Sequence, residues 1–226
     1  VYVKPLVSKN MLEIEVTVQN QTAKKAEIQL QGDIREWMNR AGTDINSAPV
    51  PDWTLGNEAL SVAPAKVSVA AGTSQKVTLQ VPVGKDVLKY WTPEHPNLYA
   101  LLLSVKNQKQ AVDTKYERFG WREWTLQGTT QCLNGEPYAL HGDSWHFMGI
   151  PQMTRRYAWA WFTAIKGMNA NAVRPHAQVY PRFYLDMADE MGICVLNETA
   201  NWASEVGLRP LLGNIQITFE TFCAAR

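Results

Sequence analysis

Three stretches decide the fold: Gly167-Met168-Asn169-Ala170-Asn171-Ala172-Val173-Arg174-Pro175-His176, then Tyr180-Pro181-Arg182-Phe183-Tyr184, then Asp189-Glu190-Met191-Gly192-Ile193-Cys194-Val195-Leu196-Asn197-Glu198. They read as helix end, buried strand, helix, buried strand, with polar residues gathered where each strand finishes. Upstream, Thr154 can cap a helix through Tyr157, Trp161, Phe162 and Ile165 to Met168, apolar at three- and four-residue steps. Pro181 in the first turn opens a second helix through Phe183, Leu185, Met187 and Ala188, and Gly192 ends it. Ala172-Val173 is a short buried strand, and Ile193 to Leu196 is an unbroken apolar run of the kind buried on both faces in a parallel sheet. The segment Ala139 to Asn197 thus predicts three strands and two crossover helices, the rhythm of a (β/α)-barrel, whose chemistry sits on the loops after the strands. Too few residues follow Glu198 for a complete barrel, so a partial one is expected.

The first half of the chain has a different period. Leu12, Ile14, Val16 and Val18 alternate with Glu13, Glu15, Thr17 and Gln19 until Asn20-Gln21-Thr22 breaks the run, a half-buried strand pattern. Ala26, Ile28 and Leu30 repeat it. Val67-Ser68-Val69 and Val77 to Val81 flank the turn signal Ala71-Gly72-Thr73-Ser74, and Leu98 to Val105 is a more apolar strand before the polar turn Lys106 to Gln110. Six to eight short strands at this spacing predict an antiparallel β-sandwich of immunoglobulin type. The expected division is residues 1–125 for the sandwich and 126–226 for the partial barrel.

Composition narrows the function classes. With 46% hydrophobic and 19% charged residues among 226, the chain can bury a core. Twenty-two basic against 21 acidic residues leave a net charge of +1, which gives no field to capture nucleic acid or an anionic membrane. No apolar stretch is long enough to span a bilayer. Cys132, Cys194 and Cys223 lack metal-ligand spacing, and Cys194 reads as a buried small hydrophobe; no metal or cofactor is implied. Nine Trp would suit stacking on sugar rings, but for most of them core packing is the plainer reading. The start, Val1-Tyr2-Val3-Lys4-Pro5, is no signal peptide, and the compartment is left unread.

Five stretches together resemble glycoside hydrolase family 2, the group of β-galactosidases, β-glucuronidases and β-mannosidases. Trp91-Thr92-Pro93-Glu94-His95-Pro96-Asn97-Leu98-Tyr99 is similar to a signature of the family's immunoglobulin-like domain, and Arg118-Phe119-Gly120-Trp121-Arg122-Glu123 to its exit toward the barrel. Leu133-Asn134-Gly135-Glu136-Pro137 with Leu140-His141-Gly142 resembles the first barrel strand, and Trp145-His146 the loop after it. Asn171 to His176 and Val195 to Glu198 complete the set. The resemblance implies a retaining exo-β-glycosidase with two carboxyl groups about 5 Å apart across the scissile bond. It places the acid/base Glu after an Asn on the fourth barrel strand and the nucleophile on the seventh. Asn197-Glu198 imitates the acid/base pair but ends the third strand, where the family has Asp-Glu, so Glu198 is expected to be a pocket wall and both catalytic Glu to lie elsewhere. The same comparison implies a chain short at its front, without the family's sugar-binding jelly-roll domain.

The resemblance makes His146 and His176 pocket residues, where plain surface histidines are the alternative. Arg174, at the end of the second strand, could hold a carboxylate or a sugar hydroxyl with its planar fork, or simply bond barrel carboxylates such as Glu198. Trp145 and Asp143 share the first loop, with Trp145 stacking on sugar or covering the barrel end. Asn197 takes the place of the family's Asp. Asp186, Asp189 and Glu190 read as the solvated face of a helix. Ser144 has no nucleophile elbow around it, which sets a serine-hydrolase reading aside.

An incomplete barrel would leave Val173, Ile193, Val195 and Leu196 uncovered, which predicts a homo-oligomer. Three functions follow. The first is part of a β-glycosidase that binds carbohydrate without two-carboxylate chemistry of its own. The second is an active hydrolase using Glu198 in a remodelled or intersubunit site. The third is a non-catalytic binding or scaffold module.

Overall fold

The computed structural model describes residues 1–40, 53–107, 110–146, 149–176 and 180–198. Among the described residues seven strands build the first half: β1 (Tyr2–Leu6), β2 (Met11–Gln19), β3 (Ala26–Asn39), β4 (Trp53–Val69), β5 (Ser74–Pro82), β6 (Leu98–Asn107) and β7 (Gln110–Gly120). They pair as a three-stranded sheet, β1-β2-β5, and a four-stranded sheet, β4-β3-β6-β7. Pairing is antiparallel throughout. The predicted alternation holds: Leu12, Ile14 and Val16 of β2 point into one core with Ile28, Leu30 and Ile34 of β3, Leu101 and Leu103 of β6, and Phe119 of β7. Each such buried aliphatic side chain contributes about 2 kcal/mol. Val18, at the end of the same alternation, is only partly buried and packs on the rim of that core. The turn at Ala71 to Ser74 carries the chain from one sheet to the other, and Gly72 supplies its left-handed residue with φ 66°.

An antiparallel meander follows: β8 (Trp124–Gln127), β9 (Thr130–Leu133) and β10 (Glu136–Pro137). This corrects the expectation for Leu133 to Pro137, which belongs to the meander. The first parallel strand is β11 (Gly142–Trp145), so Asp143 and Trp145 lie in a strand and not in the loop after it. Then come α1 (Arg155–Gly167), β12 (Ala172–Pro175), α2 (Arg182–Met191) and β13 (Cys194–Val195), in an open parallel sheet of order β11-β12-β13. Local signals set the helix ends. The Thr154 hydroxyl accepts from the Tyr157 N–H, Pro181 is the residue just before the first turn of α2, and Gly192 closes α2 with φ 71°.

The apolar faces expected to be bare are covered within the chain. Val173, Ile193 and Val195 are buried against Ala158, Phe162 and Ile165 of α1 and Tyr184, Met187 and Ala188 of α2, while Leu196 packs beside Trp37, Trp91, Ala172 and Cys194. Cys194 is fully buried, as its apolar strand implies. The segment from Arg209 onward, expected as a third helix or a strand and tail, and Cys223 lie outside the described residues.

The supposed solvated face of α2 is the junction between the two halves. Arg118 of β7 reaches Glu190 at 2.7 Å, Asp186 at 3.3 Å and Asp189 at 3.6 Å. Arg122 reaches Asp189 at 3.1 Å, and Arg155 of α1 reaches Glu190 at 3.4 Å. Asp189 is buried, 7% exposed. The Asp189 and Glu190 carboxylates lie inside because three guanidinium groups meet them there, which is the condition for burying a charge. The carboxylates around Arg118 outweigh its burial and hold its guanidinium more firmly charged than usual. Burial pushes the Asp189 carboxyl up, against the pull of Arg122 and Arg118. Trp91 adds a 2.8 Å hydrogen bond from its indole N–H to the Asp189 carbonyl, and the Arg122 guanidinium lies 4.0 Å over its ring.

Candidate functional site

The ends of the parallel strands gather most of the residues singled out from sequence. Register sets Ser144 beside Arg174, Trp145 beside Pro175, and Val173 beside Val195. Side chains alternate across a sheet, and Val173 and Val195 face the helices. Asp143, in register with Val173, shares that parity; Ser144 and Arg174 have the other.

Trp145 takes the helix side. Its ring stacks on Trp161 at 4.1 Å and Tyr157 at 5.7 Å, and meets Tyr180 edge-on at 5.1 Å. It is thus a member of an aromatic cluster with Tyr184 at the top of α1 and α2. Burial pushes the Tyr180 and Tyr184 hydroxyls well above the usual phenol range, and the Tyr184 O–H donates to the Gln152 carbonyl at 2.6 Å. Asp143 is exposed and its carboxylate accepts from the Ser144 N–H at 2.7 Å, a local turn-like contact.

On the other face, the Arg174 Nε donates to the Glu198 carboxylate. Arg174 is 47% exposed and Glu198 16%, so the pair sits at the rim with its carboxylate drawn inward. The rings of His146 and His176 lie 4.4 Å apart, and the His176 N–H bonds the Trp145 carbonyl at 2.9 Å. Asn197 is half-buried with its side-chain oxygen unbonded among the described residues. The His146–His176 pair and the Arg174–Glu198 pair thus both lie at or just beyond the ends of β11, β12 and β13, whereas Trp145 is withdrawn into the helix layer. The arrangement offers charged and aromatic groups that can bind a polar ring. Among the described residues it holds one carboxylate engaged by a guanidinium, not two facing ones.

Sequence reasoning missed the groups that hold this corner in place. Asn171 bonds the Tyr138 hydroxyl at 3.2 Å, the Ala139 carbonyl at 3.0 Å and the His141 N–H at 2.8 Å, fixing the entries of β11 and β12 together. Tyr138 donates to Glu94 at 2.7 Å, and Lys166 caps both the Pro93 and Met191 carbonyls at 2.8 Å. The available signal was the Trp91 to Tyr99 run, which supplies the Glu94 carboxylate and the Pro93 carbonyl. Among the described residues no group of three His, Cys, Asp or Glu side chains is placed to hold a metal, and no helix is long and apolar enough to cross a membrane.

The model for glycosyl hydrolases family 2 matches residues 1–122. A putative β-glucuronidase of Formosa agariphila is 34% identical over 115 residues, 49% of this chain and 11% of that protein. A β-galactosidase of Priestia megaterium is 28% identical over 142 residues, 61% of this chain and 14% of that protein. The chain therefore spans about a seventh or less of the length of these relatives. Among solved structures, Bacteroides uniformis β-glucuronidase superposes with a TM-score of 0.66 at 24% identity, over 88% of this chain and 23% of that one. A β-galacturonidase of Eisenbergiella tayi bound to galacturonate gives 0.70 at 20% identity, over 88% and 32%.

Proposed function

Since the chain belongs to the glycosyl hydrolases family 2, we propose that it serves the hydrolysis of β-glycosides by supplying one wall of the sugar pocket. In this reading residues 1–125 are an immunoglobulin-like sandwich and 126–226 begin a (β/α)8 barrel, with β11, β12 and β13 as its first three strands. The pocket wall consists of His146, Arg174, His176, Asn197 and Glu198. The observation that carries it is the Arg174–Glu198 pair at adjacent strand ends, on the sheet face away from α1 and α2. A carboxylate committed to a guanidinium suits a positioning or hydroxyl-binding group better than a proton donor to a leaving oxygen. The acid/base and nucleophile of the retaining pair then belong to later strands, outside the described residues.

The substrate class is a β-glycoside, with uronides the first to try because similar proteins are named for glucuronide and galacturonide hydrolysis. Self-association remains part of the proposal on one support: among the described residues, β13 has a partner on only one side. Light scattering showing a monomer at micromolar concentration would remove it.

The deciding experiment is turnover of nitrophenyl β-glycosides, glucuronide and galacturonide included, together with a short-chain nitrophenyl ester, by the chain and its Glu198→Gln variant. The expected result is no glycoside turnover by either protein, with weak sugar binding that Arg174→Ala abolishes. Turnover lost in Glu198→Gln would instead make Glu198 catalytic. Binding indifferent to all five wall residues would leave a scaffold.

A further inference from the structure

The outer face of the sheet β4-β3-β6-β7 carries a groove of its own. Leu30, Ile34, Leu101 and Leu103 fill the core, so alternation turns Gln31, Asp33, Leu102 and Ser104 outward. Register aligns two rows across the strands, Gln31–Ser104–Thr114 and Ser61–Asp33–Leu102–Tyr116. Ladder irregularities at Leu30/Gly32, Ile34/Arg35 and Arg35/Trp37 interrupt the pairing of β3 with β4, and such bulges bend a sheet and re-aim its side chains. The rows line a cavity of about 610 Å³, within the roughly 300–1,000 Å³ of small-molecule sites. At the Tyr116 end, Trp53 stacks on the phenol ring with centroids 4.9 Å apart. Trp53 is still 41% exposed, so among the described residues it presents apolar ring surface to water beside a polar groove.

We propose that this groove binds a neutral oligosaccharide, with one ring stacked on Trp53 and the hydroxyls of its neighbours bonded to the two rows. The chemistry of the lining selects that class. A sugar ring joins an apolar C–H face to a rim of hydroxyls, and the groove joins an aromatic face to short hydroxyls at Ser61, Ser104 and Thr114. The Gln31 amide adds donors and acceptors, and the Asp33 carboxylate is held in place by the Arg35 Nε at 2.7 Å. Asp33 and Glu58 offset Lys115 and Arg35, which leaves no excess positive charge to draw a polyanion. An added peptide strand has no edge to pair with over this floor, because β3 and β6 are interior strands bonded on both sides. The site is built from the sandwich alone and stands independently of the role given to Arg174 and Glu198.

The test is calorimetric titration of the Arg174→Ala chain, in which the wall at the parallel strand ends is disabled and any binding left belongs elsewhere. The probes are cellotetraose, mannotetraose, xylotetraose and β-1,4-galactotetraose, with tetragalacturonate as the charged comparison. The ligand must touch both the indole and the polar rows, so a single-ring glycoside does not report on this site. Saturable binding of at least one neutral tetrasaccharide is expected, with tetragalacturonate weaker. Adding Trp53→Ala should weaken it about tenfold, the loss of one aromatic stack. Ser104→Leu, which removes a hydroxyl and raises the floor beside Leu102, should weaken it by a similar factor. Circular dichroism spectra matching the parent establish that both variants are folded. No binding of any neutral probe would overturn the proposal. So would binding that both variants leave unchanged, or a preference for tetragalacturonate.

Discussion

The Arg118 guanidinium donates to the Glu190 carboxylate at 2.7 Å, joining the last strand of the sandwich to α2 across 72 residues of chain. Both side chains are nearly buried, at 8% and 5% exposure, so the pair lies in the low-dielectric regime where breaking one partner is costly. We expect Arg118→Ala to destabilise the protein by about 3–5 kcal/mol. Urea denaturation of Arg118→Ala, Glu190→Gln and the double variant checks this. The double variant should lose clearly less than the sum of the two, and strict additivity would deny the coupling.

Gly192 and Gly72 separate conformational strain from collision. Both have positive φ, 71° and 66°, but a Cβ at Gly192 would lie 2.2 Å from the Pro93 carbonyl oxygen, while one at Gly72 meets nothing within 4 Å. Gly72→Ala is expected to cost about 1 kcal/mol from the left-handed backbone alone. Gly192→Ala should cost at least twice that, because the Trp91 to Tyr99 loop must retreat from α2. Equal melting temperatures for the two variants would contradict the close approach.

Trp145 is expected to act through packing. Truncating it removes the stack on Trp161 and the edge contact with Tyr180, and Trp145→Ala should cost about 3 kcal/mol of stability. A variant of unchanged stability that had lost only sugar affinity would return Trp145 to the role of a sugar platform.

Alkaline pH should unfold the protein through its tyrosines. Burial pushes Tyr116 up to about 12 and raises Tyr99, Tyr138, Tyr180 and Tyr184 as well. A phenol whose folded pKa lies above its unfolded value near 10 contributes its full stability below pH ~10 and loses it as pH climbs through the folded value. Stability should therefore be unaffected by these groups up to pH ~10 and fall steadily beyond it. Tyrosinate absorbance from these five should appear only with the loss of the folded circular dichroism signal; their ionisation near pH ~10 in a folded protein would refute this.

Local features were legible and distant partnerships were not. The Thr154 cap, the Gly192 stop and the alternation of Leu12, Ile14 and Val16 each depend on residues within one turn or one strand, so short-range pattern sufficed. Asp189 and Glu190 were misplaced on a solvated face because their guanidinium partners lie 67 and 72 residues away; an acidic helix face looks the same whether water or arginine meets it. The start of the first parallel strand was misplaced by a similar cause. Leu133 to Pro137 and Gly142 to Trp145 are both short and strand-like, and only pairing with β12 identifies the second as the parallel one.

The sequence by itself determined the alternating strand through Leu12, Ile14 and Val16, the two helices with their ends, and that Arg174, His176 and Glu198 lie at or just beyond strand ends, because periodicity, caps and turn residues act over a few positions. Only the tertiary structure decided that Trp145 turns inward to the helices, that Arg174 spends its guanidinium on Glu198, and that α2 is clamped to the sandwich by buried charge. Those outcomes depend on register and on which element packs where, and a one-residue shift in pairing would have reversed the face of every side chain concerned.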